Sequence, residues 1–398
     1  MSAFGSEVAE IALPLLALLT LSASASEVSL LRISQFLPFL LATLPLGLLV
    51  DRWQRQRLRL MVGADLGRFV LVATIPIAVW TNVAQVELLY AVVFIVGLLT
   101  VLYQIADFAF LPAVVRPDQL VDANGKIAAT QSTNEIGGRG LGGLLVQTLS
   151  APVAVAVNAM AFLGSALSLR RIHLANTLDE TSNAPQSPLR DIAAGLRFSV
   201  RDRYLRALLG AATTFNVFNE MFLLGLMLYA VRDRGLGAAG IGLIFTAGGV
   251  GSFVGAWFGA RVTNRFGYGP VLLITLTFGN AAPLGVLFAD AAGSAVLLLL
   301  CGVFAVMGIG IGVANVHAVS LRASAVPPDL RGRVNAAYRL ISWGAIPLGA
   351  AAGGVLATRA GAETTMVIGS VGVALATLWV AFSAVPGLRS ISDAVSGR

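Results

Sequence analysis

The sequence contains few charged residues, which make up only 12% of its 398 positions. A soluble globular domain carries about 25% Asp, Glu, Lys and Arg. Hydrophobic residues account for 57% of this chain, and they recur in blocks of roughly 20 to 27, each long enough to cross a hydrocarbon core of about 30 Å as a helix. The composition therefore excludes a soluble enzyme and predicts an integral membrane protein.

Cysteine, histidine and lysine are also scarce. The one cysteine, Cys301, cannot form an intrachain disulfide, and with only His173 and His317 beside it the chain lacks the ligands of a structural zinc site. The one lysine, Lys126, lacks the upstream glycine and the following Ser or Thr of a phosphate-binding loop. We therefore expect no cofactor, no metal and no ATP-driven pumping by this chain. No catalytic constellation recurs with recognisable spacing, so an enzyme is not expected.

The apolar blocks predict an all-α membrane protein of twelve transmembrane helices in two six-helix, pseudo-symmetric halves. One long polar segment separates the halves, and within it residues 189–200 are expected to form an amphipathic surface helix. The predicted domains are the N-terminal half (1–169), a cytoplasmic central linker (170–203), the C-terminal half (204–386) and a cytoplasmic tail (387–398). The predicted spans lie near 2–21, 27–50, 58–81, 86–110, 121–149, 151–169, 204–230, 239–262, 268–289, 294–318, 334–358 and 364–386.

The distribution of basic residues predicts the orientation. Of the 27 Lys and Arg residues, three fall in outer loops and four within spans if both termini are cytoplasmic, which leaves 20 on the inner side. This asymmetry accounts for the net charge of +7 without nucleic acid as a partner. We therefore expect a multi-pass protein of the bacterial inner membrane with both termini in the cytoplasm.

The two predicted halves align with one another at two closely similar repeat shifts, a larger shift of 213 and a smaller shift of 211. Two such halves, related by an axis along the membrane normal, describe a transporter with its binding site at the midplane. The aligned landmarks are Ser6-Glu7 with Asn219-Glu220 and Asp51-Arg52 with Asn264-Arg265 at the larger shift, and Pro117-Asp118 with Pro328-Asp329, Asn124 with Asn335 and Gly142-Gly143 with Gly353-Gly354 at the smaller one.

The segment after the second predicted helix resembles the major facilitator signature Gly-x-x-x-Asp-Arg-x-Gly-Arg. Its matching residues are Gly47, Asp51, Arg52 and Arg55, with Gln54 in place of the second glycine, and residues 260–267, which include Arg265, form a degenerate second copy. Ala-Leu-Pro-Leu-Leu (12–16), Leu-Pro (111–112), Val-Asp-Ala-Asn-Gly (121–125) and Gly-Leu-Gly-Gly-Leu-Leu-Val-Gln (140–147) are similar to the bacterial drug and siderophore exporters typified by the enterobactin exporter.

This resemblance implies proton-coupled export of a small amphipathic molecule, drug-like or siderophore-like, by alternating access. The expected partners are the transported molecule, protons and the lipid bilayer, and the protein is expected to be a monomer. Two alternatives stay open. An importer or facilitator would take up solute downhill without pH dependence, and a non-transporting sensor or lipid-handling protein would keep its function after every midplane carboxylate is neutralised.

Ionisable residues within the spans are the main candidates for function, because each costs roughly 2.5 to 3.5 kcal/mol at a helix centre. Glu7 and Glu220 occupy matching positions of the repeat, and the resemblance implies that their helices line the central cavity. We expect these two carboxylates to exchange protons or to contact substrate, the alternative being acids near helix ends that reach water. Glu10, three residues after Glu7, is either a supporting partner or a structural charge.

The fifth predicted helix carries Glu135 and Arg139 in a glycine-rich segment that resembles an exporter signature, with Arg139 where a proline stands. The two side chains lie one turn apart, so Arg139 either pairs with Glu135 or recognises an acidic group of the substrate. The glycines indicate close helix packing; they are Gly138, Gly142 and Gly143, matched in the second half by Gly353 and Gly354. Asn216 and Asn219 add hydrogen-bonding groups to a cavity or bond one helix to another.

Several charged residues are candidates for a cytoplasmic gate. Asp51 and Arg52 are expected to form a latch with neighbouring helix ends, and Gly47, Arg55 and Arg265 of the signature are further gate candidates. Asp65 and Arg68, spaced i, i+3, form either a structural ion pair or part of the same gate network. Asp107 belongs either to the gate or to a solvated helix end. His317 and Arg339 are expected to reach the cytoplasmic surface.

The repeat also bears on the N-terminus. About 16 residues of the seventh predicted helix precede Glu220, whereas six residues precede the matching Glu7. Twenty-one helical residues span only about 31 Å, which leaves no margin for tilt. We therefore expect the native protein to start at an upstream codon, the alternative being a frayed first turn.

Overall fold

The structure is a computed structural model in which every described element is helical. A helix satisfies all its backbone hydrogen bonds internally, as a chain in lipid requires. Among the described residues there is no β-strand. The described residues are 2–53, 56–114, 130, 134, 138, 142–171, 188–327 and 330–390.

The helices divide between two compact units, Met1–Pro188 and Leu189–Arg398. The first unit contains α1 (Ser2–Leu15), which continues as a π-helical turn (Leu16–Thr20), α2 (Ala25–Arg52), α3 (Arg57–Trp80), α4 (Val86–Val114), α5 (described at 130, 134, 138 and 142–148) and α6 (Ala151–Arg170). The second contains α7 (Pro188–Arg201), α8 (Arg203–Leu228) with a π-helical turn (Tyr229–Asp233), α9 (Ala238–Phe266), α10 (Tyr268–Ala281) with a 3₁₀ extension (Ala282–Phe288), α11 (Val296–Ala325), α12 (Arg331–Gly344), α13 (Ile346–Leu375) and α14 (Leu378–Ala381).

Nine helices within the described residues are long and apolar enough to cross a membrane. One of them, Arg333–Ala381, runs over 49 residues and is interrupted at Gly361, where φ is 89°. The 28-residue α2 is not among the nine. The predicted number of twelve spans and the bounds of the predicted halves and linker therefore stay predictions.

Several predicted helix limits differ from the structure, most clearly those of α11 and α12. The span predicted to end near residue 318 continues to Ala325 in α11. The span predicted over 334–358 is divided at Ala345 into α12 and α13. Pro347 stands in the first turn of α13, where its missing N–H costs no helical hydrogen bond, so a new helix starts there.

Side-chain caps fix the starts of two helices that carry candidate residues. At α2 the backbone N–H of Glu27 donates to Ser24 Oγ (3.2 Å), and the N–H of Ser24 donates to the Glu27 carboxylate (2.6 Å). At α8 the Asp202 carboxylate accepts from the N–H groups of Tyr204 and Leu205, both at 3.0 Å. Each cap satisfies backbone donors that have no partner within the helix, so it defines the register of the helix that follows.

The backbone of the two units repeats at the shifts seen in the sequence. The π-helical turns Leu16–Thr20 and Tyr229–Asp233 are related by the larger repeat shift. The breaks before α6 and within α13 are related by the smaller one, with φ of 119° at Ser150 and 89° at Gly361. Turns and breaks of this kind depend on local backbone geometry, so their recurrence indicates that each unit has the same internal path.

Matching glycines make matching helix crossings. A Cβ atom on Gly142 of α5 would lie 3.0 Å from the carbonyl oxygen of Val8 in α1, and one on Gly353 would lie 3.2 Å from Cα of Met221 in α8. Because glycine lacks a side chain, two helix backbones can approach closely at such points. The crossing of α1 with α5 and that of α8 with the first half of α13 are therefore equivalent.

The second repeated crossing joins α2 to α4 and α9 to α11. A Cβ atom on Gly97 would lie 2.9 Å from the carbonyl oxygen of Gln35 in the first unit. In the second unit, a Cβ atom on Gly308 would overlap the carbonyl oxygen of Gly248. Gln35 and Gly248 are related by the larger repeat shift, so the same carbonyl faces the same glycine in both units.

Substitution of Gly308 tests the tightest of these crossings. Gly308→Ala should lower the free energy of unfolding by about 1 to 3 kcal/mol, because the methyl group forces α9 and α11 apart. Gly302→Ala is the matched control on α11, since a Cβ atom there meets nothing within 4 Å. The control should leave stability unchanged or raise it slightly. Thermal unfolding of the purified proteins in detergent measures both, and equal midpoints for the two variants would contradict the packing described.

Candidate functional site

In the first unit, Glu7 lies where α1 crosses α5. Its side chain is half-buried, and a Cβ atom placed on Gly138 would come within 2.5 Å of Glu7 Cβ. The absence of a side chain at Gly138 thus leaves room for the glutamate stem. The neighbouring Gly143 is buried, as is its counterpart Gly354 in the second unit. Glu135 and Arg139 fall outside the described residues.

Glu10 lies one turn further along α1 and pairs with a residue of α2. Arg32 Nη1 donates to Glu10 Oε1 at 2.9 Å and to Gln35 Oε1 at 3.1 Å. The Arg32 guanidinium also stacks over the Phe36 ring, 4.9 Å from its centroid. The structure thus gives Glu10 an ion-pair partner on another helix.

In the second unit, the candidate residues lie on α8, which packs along α13. Glu220 is 6% exposed. One turn before it, Asn216 Nδ2 donates to the carbonyl oxygen of Ser342 at 2.6 Å, so this amide bonds one helix to another. The buried Oδ1 atom of Asn219 has no hydrogen-bond partner among the described residues. This segment of α8 therefore combines a buried carboxyl group with an amide oxygen available for a ligand or water.

Asp65 and Arg68 form an ion pair that is almost fully withdrawn from solvent. Their side chains are 0% and 2% exposed, and Ser2 Oγ donates to Asp65 Oδ1 at 3.4 Å. The Arg68 guanidinium lies 4.6 Å from the centroid of Tyr103 and 4.5 Å from that of Phe162. The pair thus ties α3 to α1, α4 and α6, the geometry of a structural ion pair.

The other gate candidates are mostly exposed or only partly described. Arg52 ends α2 and is exposed, whereas nothing is described of the Asp51 side chain or of Arg55. A Cβ atom on Gly47 would meet nothing within 4 Å. Asp107 is exposed, and α4 continues about two turns beyond it. Arg265, exposed in the last turn of α9, lies over the Phe266 ring at 5.4 Å.

The prediction that His317 reaches the cytoplasmic surface is wrong. The residue is 4% exposed. Its Nδ1 atom lies 2.8 Å from the carbonyl oxygen of Val313, and its Nε2 atom lies 2.5 Å from Thr263 Oγ1. A buried imidazole keeps both nitrogens in hydrogen bonds, and these partners hold it inside. Arg339 is exposed and stacks over Trp343 at 4.5 Å.

Arg32 is a functional candidate that is missing from the sequence predictions, although the sequence contains a usable signal for it. The turn at residues 21–24 joins α1 to α2 as neighbours, so residues equally far from it lie at similar depth. Glu10 is about 16 Å before that turn and Arg32 about 12 Å after it, at about 1.5 Å per residue. Opposite charges at one depth on adjacent helices indicate a pair.

The comparisons with known proteins agree with this architecture. The sequence model of the Major Facilitator Superfamily matches residues 1–350, and the chain therefore belongs to the major facilitator superfamily. It is a transporter-family membrane protein with several candidate spans. The expected superfamily and helical fold are confirmed.

Two curated relatives align with most of the chain. The multidrug efflux pump Tap of Mycobacterium tuberculosis is 29% identical over 378 residues, which cover 92% of this chain and 86% of that protein. The uncharacterized MFS-type transporter YfiS of Bacillus subtilis is 27% identical over 375 residues, covering 89% of this chain and 85% of that protein.

Solved structures share the fold at low sequence identity. A bacterial homologue of the iron transporter ferroportin, in its inward-facing state, superposes with a TM-score of 0.69 at 17% identity and covers 96% of this chain and 95% of that one. The nucleoside transporter NupG gives a TM-score of 0.71 at 13% identity, covering 96% of each chain. At these identities the likeness concerns the fold alone.

The buried ion pair of the first unit generates a stability prediction. Arg68→Leu should lower the free energy of unfolding by about 3 to 5 kcal/mol, because it leaves Asp65 buried without its cation. The double variant Asp65→Leu, Arg68→Leu should lose less than Arg68→Leu alone.

The control is Asp290→Asn, which breaks the ion pair with Arg234 in the second unit, where the aspartate side chain is 66% exposed. This change should leave stability almost unaltered. Thermal unfolding in detergent compares the variants. A double variant that loses as much stability as Arg68→Leu, or more, would show that the two charges do not stabilise one another.

Proposed function

We propose that the protein exports a small amphipathic molecule, drug-like or siderophore-like, across the bacterial inner membrane in exchange for protons. The observation that carries this proposal is the buried carboxyl group of Glu220, 6% exposed on an apolar helix of a chain that belongs to a transporter superfamily. Its likeness to a multidrug efflux pump supports export. In this proposal the protein works as a monomer with both termini in the cytoplasm.

The proposed coupling residues are Glu7 and Glu220. Each is an ionisable group on an apolar helix, and each sits at an equivalent helix crossing of its own unit. In this proposal the carboxyl group releases its proton when water reaches it and takes one up before it is sealed off. This alternation is the cycle that proton exchange needs. Within the first unit, Glu10, Glu135 and Arg139 are further residues that we propose to contact substrate or protons. Within the second unit, the corresponding residues are Asn216 and Asn219.

The energy available from one proton is sufficient for this task. A proton that moves down a potential of 100 mV releases about 2.3 kcal/mol. At about 1.4 kcal/mol per factor of ten, this energy sustains a solute gradient of roughly fifty-fold. A single exchangeable carboxyl group is therefore enough for useful efflux.

Glu220→Gln should abolish uphill export, because the amide keeps the shape of the side chain but cannot take up or release a proton. Accumulation of a fluorescent amphipathic dye by inside-out vesicles under an imposed pH gradient measures the loss. Glu363→Gln is the matched control, since Glu363 is an exposed glutamate on α13, and this variant should export normally. Wild-type accumulation by Glu220→Gln would refute the coupling role, and uptake without any pH dependence in both variants would favour a facilitator.

We also propose that Asp51 and Arg52 act as a latch at the end of α2, where opposite charges interact with helix ends in one conformation and separate in the other. Asp51→Asn should slow the transport cycle about tenfold or more while dye affinity changes little. Initial export rate and equilibrium dye binding separate the two effects, with the exposed Asp233→Asn as control. Equal losses of rate and binding would indicate misfolding instead of a latch.

A further inference from the structure

The proposed function includes Glu10 but gives no role to its partner Arg32, which lies on α2. Arg32 Nη1 is shared between the Glu10 carboxylate at 2.9 Å and the Gln35 amide oxygen at 3.1 Å. The Phe36 ring covers the guanidinium at 4.9 Å. Glu10 and Arg32 lie about 16 Å and 12 Å from the turn that joins the helices. This depth places the group within a hydrocarbon core of about 30 Å.

The second unit shows that the fold does not need these charges. At the larger repeat shift, the positions of Glu10 and Arg32 are occupied by Leu223 and Phe245. The alignment is anchored on both helices by the crossings at Gly142 and Gly353 and at Gly97 and Gly308. The same helix geometry is therefore built with apolar residues in one unit and with an ion pair in the other. A charged pair costs energy in a membrane, and this one is dispensable for packing, so its presence in the first unit has another reason.

Accessibility separates this group from the other charged pair of the unit. The side chains of Arg32 and Glu10 are 11% and 25% exposed, whereas those of Asp65 and Arg68 are 2% exposed or less. A solute can thus reach Arg32 and displace a partly exposed partner, but it cannot reach Arg68. The planar guanidinium presents several donors in a fork that fits a carboxylate.

We propose that Arg32, supported by Gln35 and Phe36, binds an anionic group, of the carboxylate class, on the transported molecule. Glu10 occupies the same donors when the molecule is absent, so the vacant site stays neutral. An incoming carboxylate displaces the Glu10 carboxylate from the Arg32 guanidinium. The Glu10 side chain then rotates away from Arg32, in the direction in which it is already partly exposed. This inference rests on the proposed function as a transporter and adds a substrate feature to it.

The test uses two probes that differ only at the anionic group, naphthylacetate and naphthylacetamide. Binding to the purified wild-type protein in detergent should favour naphthylacetate about tenfold, or about 1.4 kcal/mol. Glu10→Gln should strengthen naphthylacetate binding by a further factor of about ten, because the competing charge is gone. It should leave naphthylacetamide binding unchanged.

The double variant Glu10→Leu, Arg32→Phe places the residues of the second unit into the first. It should keep the unfolding midpoint of the wild type and bind both probes equally weakly. Arg32→Lys keeps the charge without the fork and should show an intermediate preference.

Three results would overturn the proposal: no naphthylacetate binding by the wild type, equal binding of the two probes by it, or a preference for naphthylacetate that survives in the double variant. The outcome is separable from that of proton coupling. Glu220→Gln should retain the naphthylacetate preference, so a coupling role that fails at Glu220 leaves the result at Arg32 interpretable.

Discussion

Close backbone contact at glycine is the interaction on which the rest of this structure depends. Without a hydrophobic driving force between helices in lipid, association relies on van der Waals packing at short range. The carbonyl oxygens of Gly248 and Ser252 on α9 face Gly308 and Gly312 on α11, where a Cβ atom would overlap them. Such contacts fix the rotation of each helix, and with it the direction in which candidate side chains such as Glu7 and Glu220 point.

Because these contacts repeat, each position of one unit can be compared with its matched position in the other. The π-helical turns and the breaks at Ser150 and Gly361 recur at the same shifts, so differences between matched positions reflect something other than the fold. Charge is the clearest difference. The ion pairs of Glu10 with Arg32 and of Asp65 with Arg68 have apolar residues or glycine at their matched positions in the second unit. The enclosed Asp65–Arg68 pair ties helices of the first unit together, whereas the partly exposed Glu10–Arg32 pair points to a role beyond packing.

Much of this architecture was predictable from the sequence, because hydrophobic blocks and the repeat depend on local spacing. The superfamily, the helical fold and most helix limits followed from them. Side-chain partners did not follow, because they depend on helix rotation. His317 is predicted at the surface but is held inside by Val313 and Thr263, and the pairing of Arg32 with Glu10 is not among the predictions. The roles of the site residues stay predictions. The sequence and one structure supply the chemical groups and their positions, whereas transport depends on how these groups move between conformations.

The proposal that the protein exports its substrate in exchange for protons is tested most directly with the wild-type protein in sealed vesicles. A fluorescent amphipathic dye and the internal pH are followed together after a pH gradient is imposed. The account predicts that dye moves uphill against a proton flow and that a protonophore abolishes the accumulation. Dye that only equilibrates across the membrane, at a rate independent of the gradient and without proton movement, would contradict the account.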